Sequence, residues 1–433
     1  MKISTDVLIV GSGLAGLYAA LHLKEDLNVT IVTKSTADNC NTYLAQGGIS
    51  TVLNDEDESL FVEDTLRAGS YKNDINAVRI LATDTRPNIE FVENIGVDFD
   101  KNDSGYNYTR EGAHSVNRIV HYKDYTGKQV FECLYKEVIN RKNINIIENC
   151  CIVDLLKDSN NAIGAIGLID DEVITFNSKI TILATGGIGG LFKNSTNQRG
   201  VAAEGIAIAI RNGIKVKNLN FVQFHPTALY EEENNDRRFL ISESVRGEGG
   251  ILVNKYGNRF VNELLSRDVV SREIIKEEKK TEWPCVYLDI SNMTSDYIID
   301  RFPSIYKGCY ERGIDITKEK IPVTSVQHYF MGGIDVDFNC KTSMNNLFAC
   351  GEVSCTGVHG SNRLASNSLL EALVFSRRAA NYINDTISKT SIMSFESDLA
   401  KSKVNKILDL NRKVAVYEFS KVLGDKKNEL ASC

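Results

Sequence analysis

The 433-residue sequence has no C-x-x-C pair, no His/Cys cluster at zinc spacing, no concentrated basic patch, no internal repeats and no low-complexity tract. Its ten cysteines are scattered, apart from adjacent Cys150–Cys151 and neighbouring Cys350 and Cys355. That pattern excludes a zinc module and points to reduced thiols in a cytoplasmic protein. A net charge of −7 without a basic patch argues against a nucleic-acid partner. No apolar run is long enough for a membrane span: the stretch from Val7 to Leu21 is short, follows Asp6 and is broken by glycines. Mixed stretches such as KEEKK (276–280) read as solvated helix surface. What remains is an ordinary soluble composition, 42% hydrophobic and 25% charged, in a chain long enough for two or three domains.

The opening of the chain reads as βαβ: a buried parallel strand over 5–10, a helix over 14–24 and a second strand over 28–33. Further apolar strands are expected at 179–187 and 345–352, each leading through small residues into helices at 200–213 and 365–383. Tight small-residue turns between strands and helices place ligand sites at the carboxyl edge of the sheet. Residues 219–328 are richer in charge and turns, as an inserted domain would be, and the tail from about 386 is polar with a helical pattern. Gly11, Gly13 and Gly16 form G-x-G-x-x-G between the first strand and helix, where glycine permits a tight turn and backbone approach to a pyrophosphate. The second strand ends in Thr33 and Lys34 instead of an acid, whereas Glu352 ends a later strand and could hold a second ribose. Several small-residue loops far apart in sequence favour a long flavin dinucleotide over NAD.

Individual polar residues are ambiguous. REGAHSVNRI (110–119) sets Glu111 beside Arg110 and His114 in a stretch that is neither helix nor strand, and by itself reads as a solvated loop. His225 before Pro226 and His328 before Tyr329 read as structural histidines, and Arg363 could pair a surface acid. Arg267 starts a helix, where a cation opposes the helix dipole.

Seven stretches change that reading together: NTYLAQGGIS (41–50), REGAHSVNRIVHYKDYTGKQV (110–130), NFVQFHPTALY (220–230), FLISESVRGEGGILVN (239–254), LLSRDVVSREI (264–274), HYFMGGI (328–334) and GEVSCTGVHGSNRLASNSLLEALV (351–374). They resemble the succinate dehydrogenase/fumarate reductase flavoprotein family, and within it the branch that oxidises L-aspartate, in order and with natural spacing from residue 5 to about 380. The resemblance implies an α/β fold: a Rossmann-like FAD-binding domain interrupted by an α+β capping domain. The expected segments are 1–219 and 328–385 for the FAD-binding domain, 220–327 for the cap and 386–433 for a short helical C-terminal tail, where relatives of this kind carry a longer helical domain. It further implies FAD contacts at Ser12, Gly13, Leu14, Ala15, Lys34, Asn41, Thr42, Tyr43, Leu44, Ala45, Gln46, Gly47, Gly48, Glu204, Glu352, Ser368 and Leu369. Asn41, Glu204 and Ser242 depart from the usual serine, aspartate and threonine but keep comparable polar chemistry.

The same resemblance makes Arg363, His225, His328 and Ser242 a dicarboxylate cradle, Arg267 the proton-transfer residue and Glu111 the anion for a substrate ammonium. The implied reaction converts L-aspartate to iminoaspartate as the flavin takes a hydride, with oxygen or fumarate accepting the electrons. Both hydride loss from Cα and an enamine route are compatible with these residues. Iminoaspartate would feed quinolinate synthase in NAD biosynthesis. The rival expectation is a fumarate reductase or succinate dehydrogenase subunit docked on an iron–sulfur protein. Its covalently flavinylated members carry histidine where this chain has Asn41, so FAD is expected here without a covalent link. A flavin-binding protein without catalysis is the third reading, opposed by the intact polar set.

Overall fold

The computed structural model describes residues 1–103, 105–170, 172–233, 236–395 and 401–431. Its main sheet is built from β1 (Lys2–Val10), β2 (Val29–Val32), β3 (Ile144–Ile147), β4 (Cys150–Asp158), β5 (Asn161–Ile169) and β6 (Glu172–Leu183), in the order β3-β2-β1-β6-β5-β4. The first four in that order run parallel, a short strand at Leu347–Ala349 adds a further parallel pairing to β6, and β6, β5 and β4 form an antiparallel meander. Helix α1 (Leu14–His22) links β1 to β2, and α2 (Glu204–Arg211) lies on the opposite face. Alternation in β1 explains this arrangement. Val7 and Ile9 point into a core shared with α1, while Leu8 and Val10 point into a second core with α2. A strand buried on both faces shows as a continuous apolar run, as VLIV does.

A separate four-stranded antiparallel sheet contains β7 (Val222–Leu229), β8 (Ile251–Val253), β9 (Val286–Asp289) and β10 (Ile321–Phe330), in the order β7-β10-β9-β8. Packed with it are α3 (Glu243–Gly247), α4 (Arg267–Thr281) and α5 (Pro303–Tyr310). Its hydrophobic core runs from Leu229 to Val323 and shares no residue with the cores flanking the main sheet. The chain then returns to the first body through α6 (Asn367–Thr386), which covers α1, and α7 (Lys401–Val422). The polar tail is docked: Phe419 of α7 meets Phe330 edge-on at 5.4 Å, and Arg211 Nη1 donates to Asn411 Oδ1 at 2.8 Å.

The loop at Lys123 and Asp124 is one of the contacts between the two bodies. The buried Asp124 carboxylate accepts from Ser304 N (3.1 Å) and Ile305 N (2.7 Å), which caps α5. Beside it Lys123 pairs with Asp300, and Arg301 donates to Lys123 O.

Some expectations need correction. The helices expected at 200–213 and 365–383 begin at Glu204 and Asn367, because Ala203 and Ser366 adopt left-handed φ values of 65° and 63° that fix where each helix starts. The strand expected from 179 extends back to Glu172 because its first half pairs with β5. In KEEKK, Lys276, Lys279 and Lys280 are exposed, but Glu277 and Glu278 face inward. Glu277 accepts from Asn254 and Glu278 from Thr324, and burial pushes the Glu278 carboxyl up to about 7. The nine cysteines among the described residues are all free thiols.

Candidate active site

The carboxyl ends of β1 and β6 open onto a cavity of about 420 Å³. Gly11 makes the turn out of β1: its φ is +120°, and a Cβ there would lie 2.1 Å from Ala184 O. Gly13 precedes α1 without a side-chain cap, so the positive end of the helix faces the cavity, suited to a pyrophosphate. Leu14 N donates to Thr42 Oγ1 and Ser12 Oγ to Ala37 O, which draws the 41–48 segment against this turn. The cavity is lined by Gly11, Ser12, Gly13, Leu14, Ala15, Lys34, all of Asn41 to Gly48, Glu204, Glu352, Ser368 and Leu369. Gly16 is the exception. A Cβ there would lie 2.0 Å from Gly11 O, so its role is close helix–strand packing and not contact with a ligand. Lys34 is ion-paired with Glu204 across the end of β2. Glu352 accepts from Phe330 N at 3.0 Å, and burial pushes its carboxyl up to about 8.

Among the described residues, four buried polar atoms of this lining have no hydrogen-bond partner: Asn41 Nδ2, Gln46 Oε1, Thr185 Oγ1 and Asn197 Oδ1. An unpaired buried polar group costs about 1–3 kcal/mol, so such a row marks the outline of a polar ligand. Donors, acceptors and a helix N-terminus lining one cavity fit FAD. Asn41 Oδ1 is engaged by Gln198 N, and no histidine stands there to form a covalent link.

At the other end of the same cavity lie Glu111, His225, Ser242, Arg267, His328 and Arg363. None is on a solvated surface, which corrects the loop reading of 110–119. Glu111 is 2% exposed, and its loop is pinned by Arg118, which is fully buried between Asp57 (2.7 Å) and Asp64 (2.6 Å). His114 Nε2 lies 3.0 Å from Ala365 O, and Gly112 leaves room for Glu243, whose Oε1 would be 2.3 Å from a Cβ there.

Hydrogen bonds assign the histidine tautomers. Thr227 N donates to His225 Nδ1 at 3.2 Å, so His225 carries its proton on Nε2. Arg363 Nη2 lies 3.2 Å from His328 Nε2, leaving Nδ1–H of His328 to donate to Thr196 Oγ1 at 2.7 Å. Burial, with Arg267 adding to it, holds both imidazoles well below their ordinary pKa, so they are neutral. Arg363 stacks on Tyr329 at 4.2 Å, and burial lowers its guanidinium to about 10. Gln223 Oε1 bridges the arginines, accepting from Arg267 Nη1 at 3.0 Å and Arg363 Nε at 3.4 Å.

Arg267 does begin α4, and its conflict with the helix dipole is offset by Glu243, whose Oε2 lies 2.5 Å from Arg267 Nε. Arg246 approaches the other oxygen of Glu243 at 3.4 Å. Burial raises the Glu243 pKa, but Arg267 and Arg246 outweigh it and bring the carboxyl below its usual range. The opposite holds for Glu111, which is raised by burial and then by Glu243. Glu243 is thus the firmly ionised partner of two guanidiniums, those of Arg267 and Arg246, while Arg363 has no carboxylate within ion-pair distance among the described residues. The positive charge of Arg267 and Arg363 suits an anionic ligand, and Glu111 brings a carboxyl group to the same part of the lining. Glu243, Arg246 and Gln223 lie within the matching motifs, yet nothing local in the sequence assigns them a role. Glu243 and Arg246 are three apart on a short helix, a pattern equally common on solvated surfaces.

This fold and cavity define a flavin-dependent oxidoreductase. The FAD binding domain family matches residues 6–369. The chain is 60% identical over 433 residues to the L-aspartate oxidase of Clostridium acetobutylicum, covering 100% of both chains. It is 52% identical to that of Clostridium perfringens, covering 100% of this chain and 98% of the relative. It is 43% identical over 396 residues to that of Neisseria meningitidis, covering 89% of this chain and 79% of the relative. Among solved structures, Escherichia coli quinol fumarate reductase superposes with a TM-score of 0.86 at 26% identity, covering 99% of this chain and 83% of that one. The chain belongs to the L-aspartate oxidases, within the succinate dehydrogenase/fumarate reductase flavoproteins.

Proposed function

We propose that the protein oxidises L-aspartate to iminoaspartate with FAD and that oxygen or fumarate takes up the electrons, giving hydrogen peroxide or succinate. The carrying observation is the polar layout of the cavity: buried Arg363 and the Arg267–Glu243 pair lie in one lining with Glu111, whose carboxyl group forms no ion pair among the described residues. A plain dicarboxylate satisfies the arginines alone. Aspartate also brings an ammonium, and Glu111 is the anion for it.

In this reading Arg363 takes one substrate carboxylate with its planar fork, supported by stacking on Tyr329 and alignment by Gln223. His225, neutral with its proton on Nε2, and Ser242 donate to the other carboxylate. FAD, when bound, supplies an isoalloxazine that accepts a hydride. Arg267 handles the proton at the substrate carbon in the fumarate direction. A guanidinium releases a proton only when it is returned at once, and Glu243 lies between Arg267 and Arg246 as the group through which return can run. The segment 220–327 acts as the cap that keeps water out, and Lys34, Glu204 and Glu352 hold the cofactor's sugar hydroxyls. A cytoplasmic setting and delivery of iminoaspartate to quinolinate synthase, at the first step of NAD biosynthesis, complete the proposal, supported by the free cysteines.

The test is anaerobic stopped-flow reduction of the bound flavin by L-aspartate and by succinate. Bleaching by aspartate, followed by reoxidation with oxygen or fumarate, is the expected result. Bleaching by succinate but not aspartate would make the chain a fumarate reductase-type subunit.

A further inference from the structure

We propose that Ser244 and Ser366 are positioning residues for Glu111, clamping its carboxylate so that it faces a substrate ammonium and sets the preference for an amino dicarboxylate over a plain one. This rests on the role given to Glu111 above. Ser366 Oγ donates to Glu111 Oε2 at 2.6 Å, and Ser244 Oγ donates to Oε1 at 3.1 Å. Each oxygen is held by one hydroxyl, which leaves each a lone pair for another donor. The face toward Gly47 is open because glycine stands there: a Cβ would lie 2.8 Å from Oε1 and 3.6 Å from Ser366 Oγ.

The clamp answers an electrostatic difficulty. In a pocket crowded with arginines, the default for a mobile carboxylate is to swing onto a guanidinium and neutralise it. Such a collapse would remove both the ammonium site and part of the dicarboxylate cradle. Here Arg267 and Arg246 are paired with Glu243, and the two serines keep Glu111 on its own side. Both anchors are themselves fixed. Ser366 starts α6 with φ +63°, and its carbonyl accepts from Ser50 N at 3.2 Å and Ser50 Oγ at 3.3 Å. Ser244 lies on α3 and, with its own hydrogen given to Glu111, accepts from Ser242 Oγ at 3.1 Å until Ser242 turns to a substrate carboxylate. Serine hydroxyls donate to a carboxylate and accept from a carboxylic acid, so the clamp survives a change of protonation.

The experiment compares Ser244→Ala, Ser244→Thr and Ser366→Ala with the parent holoenzyme, with FAD absorbance as the check on folding. For Ser244→Ala, kcat/KM for L-aspartate should fall about tenfold, as expected for a misplaced charged hydrogen bond, while fumarate reduction changes less than about twofold. The acid limb of the aspartate pH profile should move to higher pH. Glu243 repels the ionised Glu111, whereas Arg246, Arg267 and Arg363 attract it, and the lost hydroxyl also favours the ionised form. Ser244→Thr should restore both values, and Ser366→Ala should reproduce the selective loss. Equal losses on both substrates with FAD intact, or no loss, would overturn the clamp. Glu111→Gln separates the two levels. If it lowers aspartate turnover selectively while Ser244→Ala does nothing, the clamp alone fails; if it spares aspartate, the role of Glu111 fails with it.

Discussion

Replacing Glu243 with glutamine tests the electrostatics on which the site depends. The amide can still accept from Arg267 Nε, so the geometry is largely kept while the charge is lost. At an effective dielectric of about 20, the 2.5 Å and 3.4 Å contacts attract Glu243 by about 7 and 5 kcal/mol. Desolvation of the three buried ions, several kcal/mol each, offsets most of that. Removing one partner of a buried pair nonetheless costs about 3–5 kcal/mol, because the survivors remain uncompensated. Arg246 is exposed to this loss in particular, since its side chain is fully buried and its Nε and Nη2 have no hydrogen-bond partner. Glu243→Gln should therefore lower the denaturant midpoint of the holoenzyme markedly. A glutamine also cannot pass a proton, so fumarate reduction should fall by about 10²–10⁴-fold in kcat with little change in KM. Aspartate oxidation should show an acid limb at lower pH, because removing the Glu243 charge relieves the repulsion that raises Glu111. Denaturation followed by flavin fluorescence and steady-state kinetics on both substrates measure all three effects. An unchanged midpoint would refute the charge accounting, and fumarate turnover within threefold of the parent would refute proton return through Glu243.

Gly187→Ala should deplete bound FAD, since the added Cβ would lie 2.2 Å from Glu352 Oε1; full flavin occupancy by absorbance would show that Glu352 can move aside. His114 is pushed down to about 4 by burial, so its folded pKa lies below its unfolded value. Its contribution to stability is thus present above about pH 6.5 and is lost as pH falls toward 4, by about 1.4 kcal/mol per unit. His114→Gln should flatten denaturant midpoints across that window, and an unchanged slope would assign the pH dependence elsewhere. Acid precipitation should release all the flavin into the supernatant; colour in the washed pellet would mean a covalent link despite Asn41.

Much of the FAD side was legible because its chemistry is local. A glycine-rich turn between a strand and a helix has one geometry, and VLIV followed by GSGLAG carries it in ten residues. The substrate side was legible only as separate motifs, since Glu111, His225, Arg267 and Arg363 come from four distant segments. Burial decides their meaning, and no short window encodes burial: the same polarity that made 110–119 read as a solvated loop serves Glu111 and Arg118 as interior charges. Glu277 and Glu278 were misread for the same reason. Glu243 and Gln223 went unassigned because each acts on an arginine more than twenty residues away. Ala203, at the start of α2, left no signal, since alanine favours helix interiors and gives no warning that it stands just outside one with left-handed φ.

The contact at Asp124 bears on how molecules come and go. This carboxylate stops the positive end of α5 at the rim of the cavity, and Ser304 is itself part of the rim. Lifting the 220–327 body away would leave a bare helix end and a carboxylate without its donors, and would break the contacts of Lys123 and Arg301 in the same motion. The cost of separating the bodies at this point is therefore shared by all of these contacts. A substrate entering past Ser304 would meet that cost, and a slow turnover would then reflect this contact as well as the chemistry.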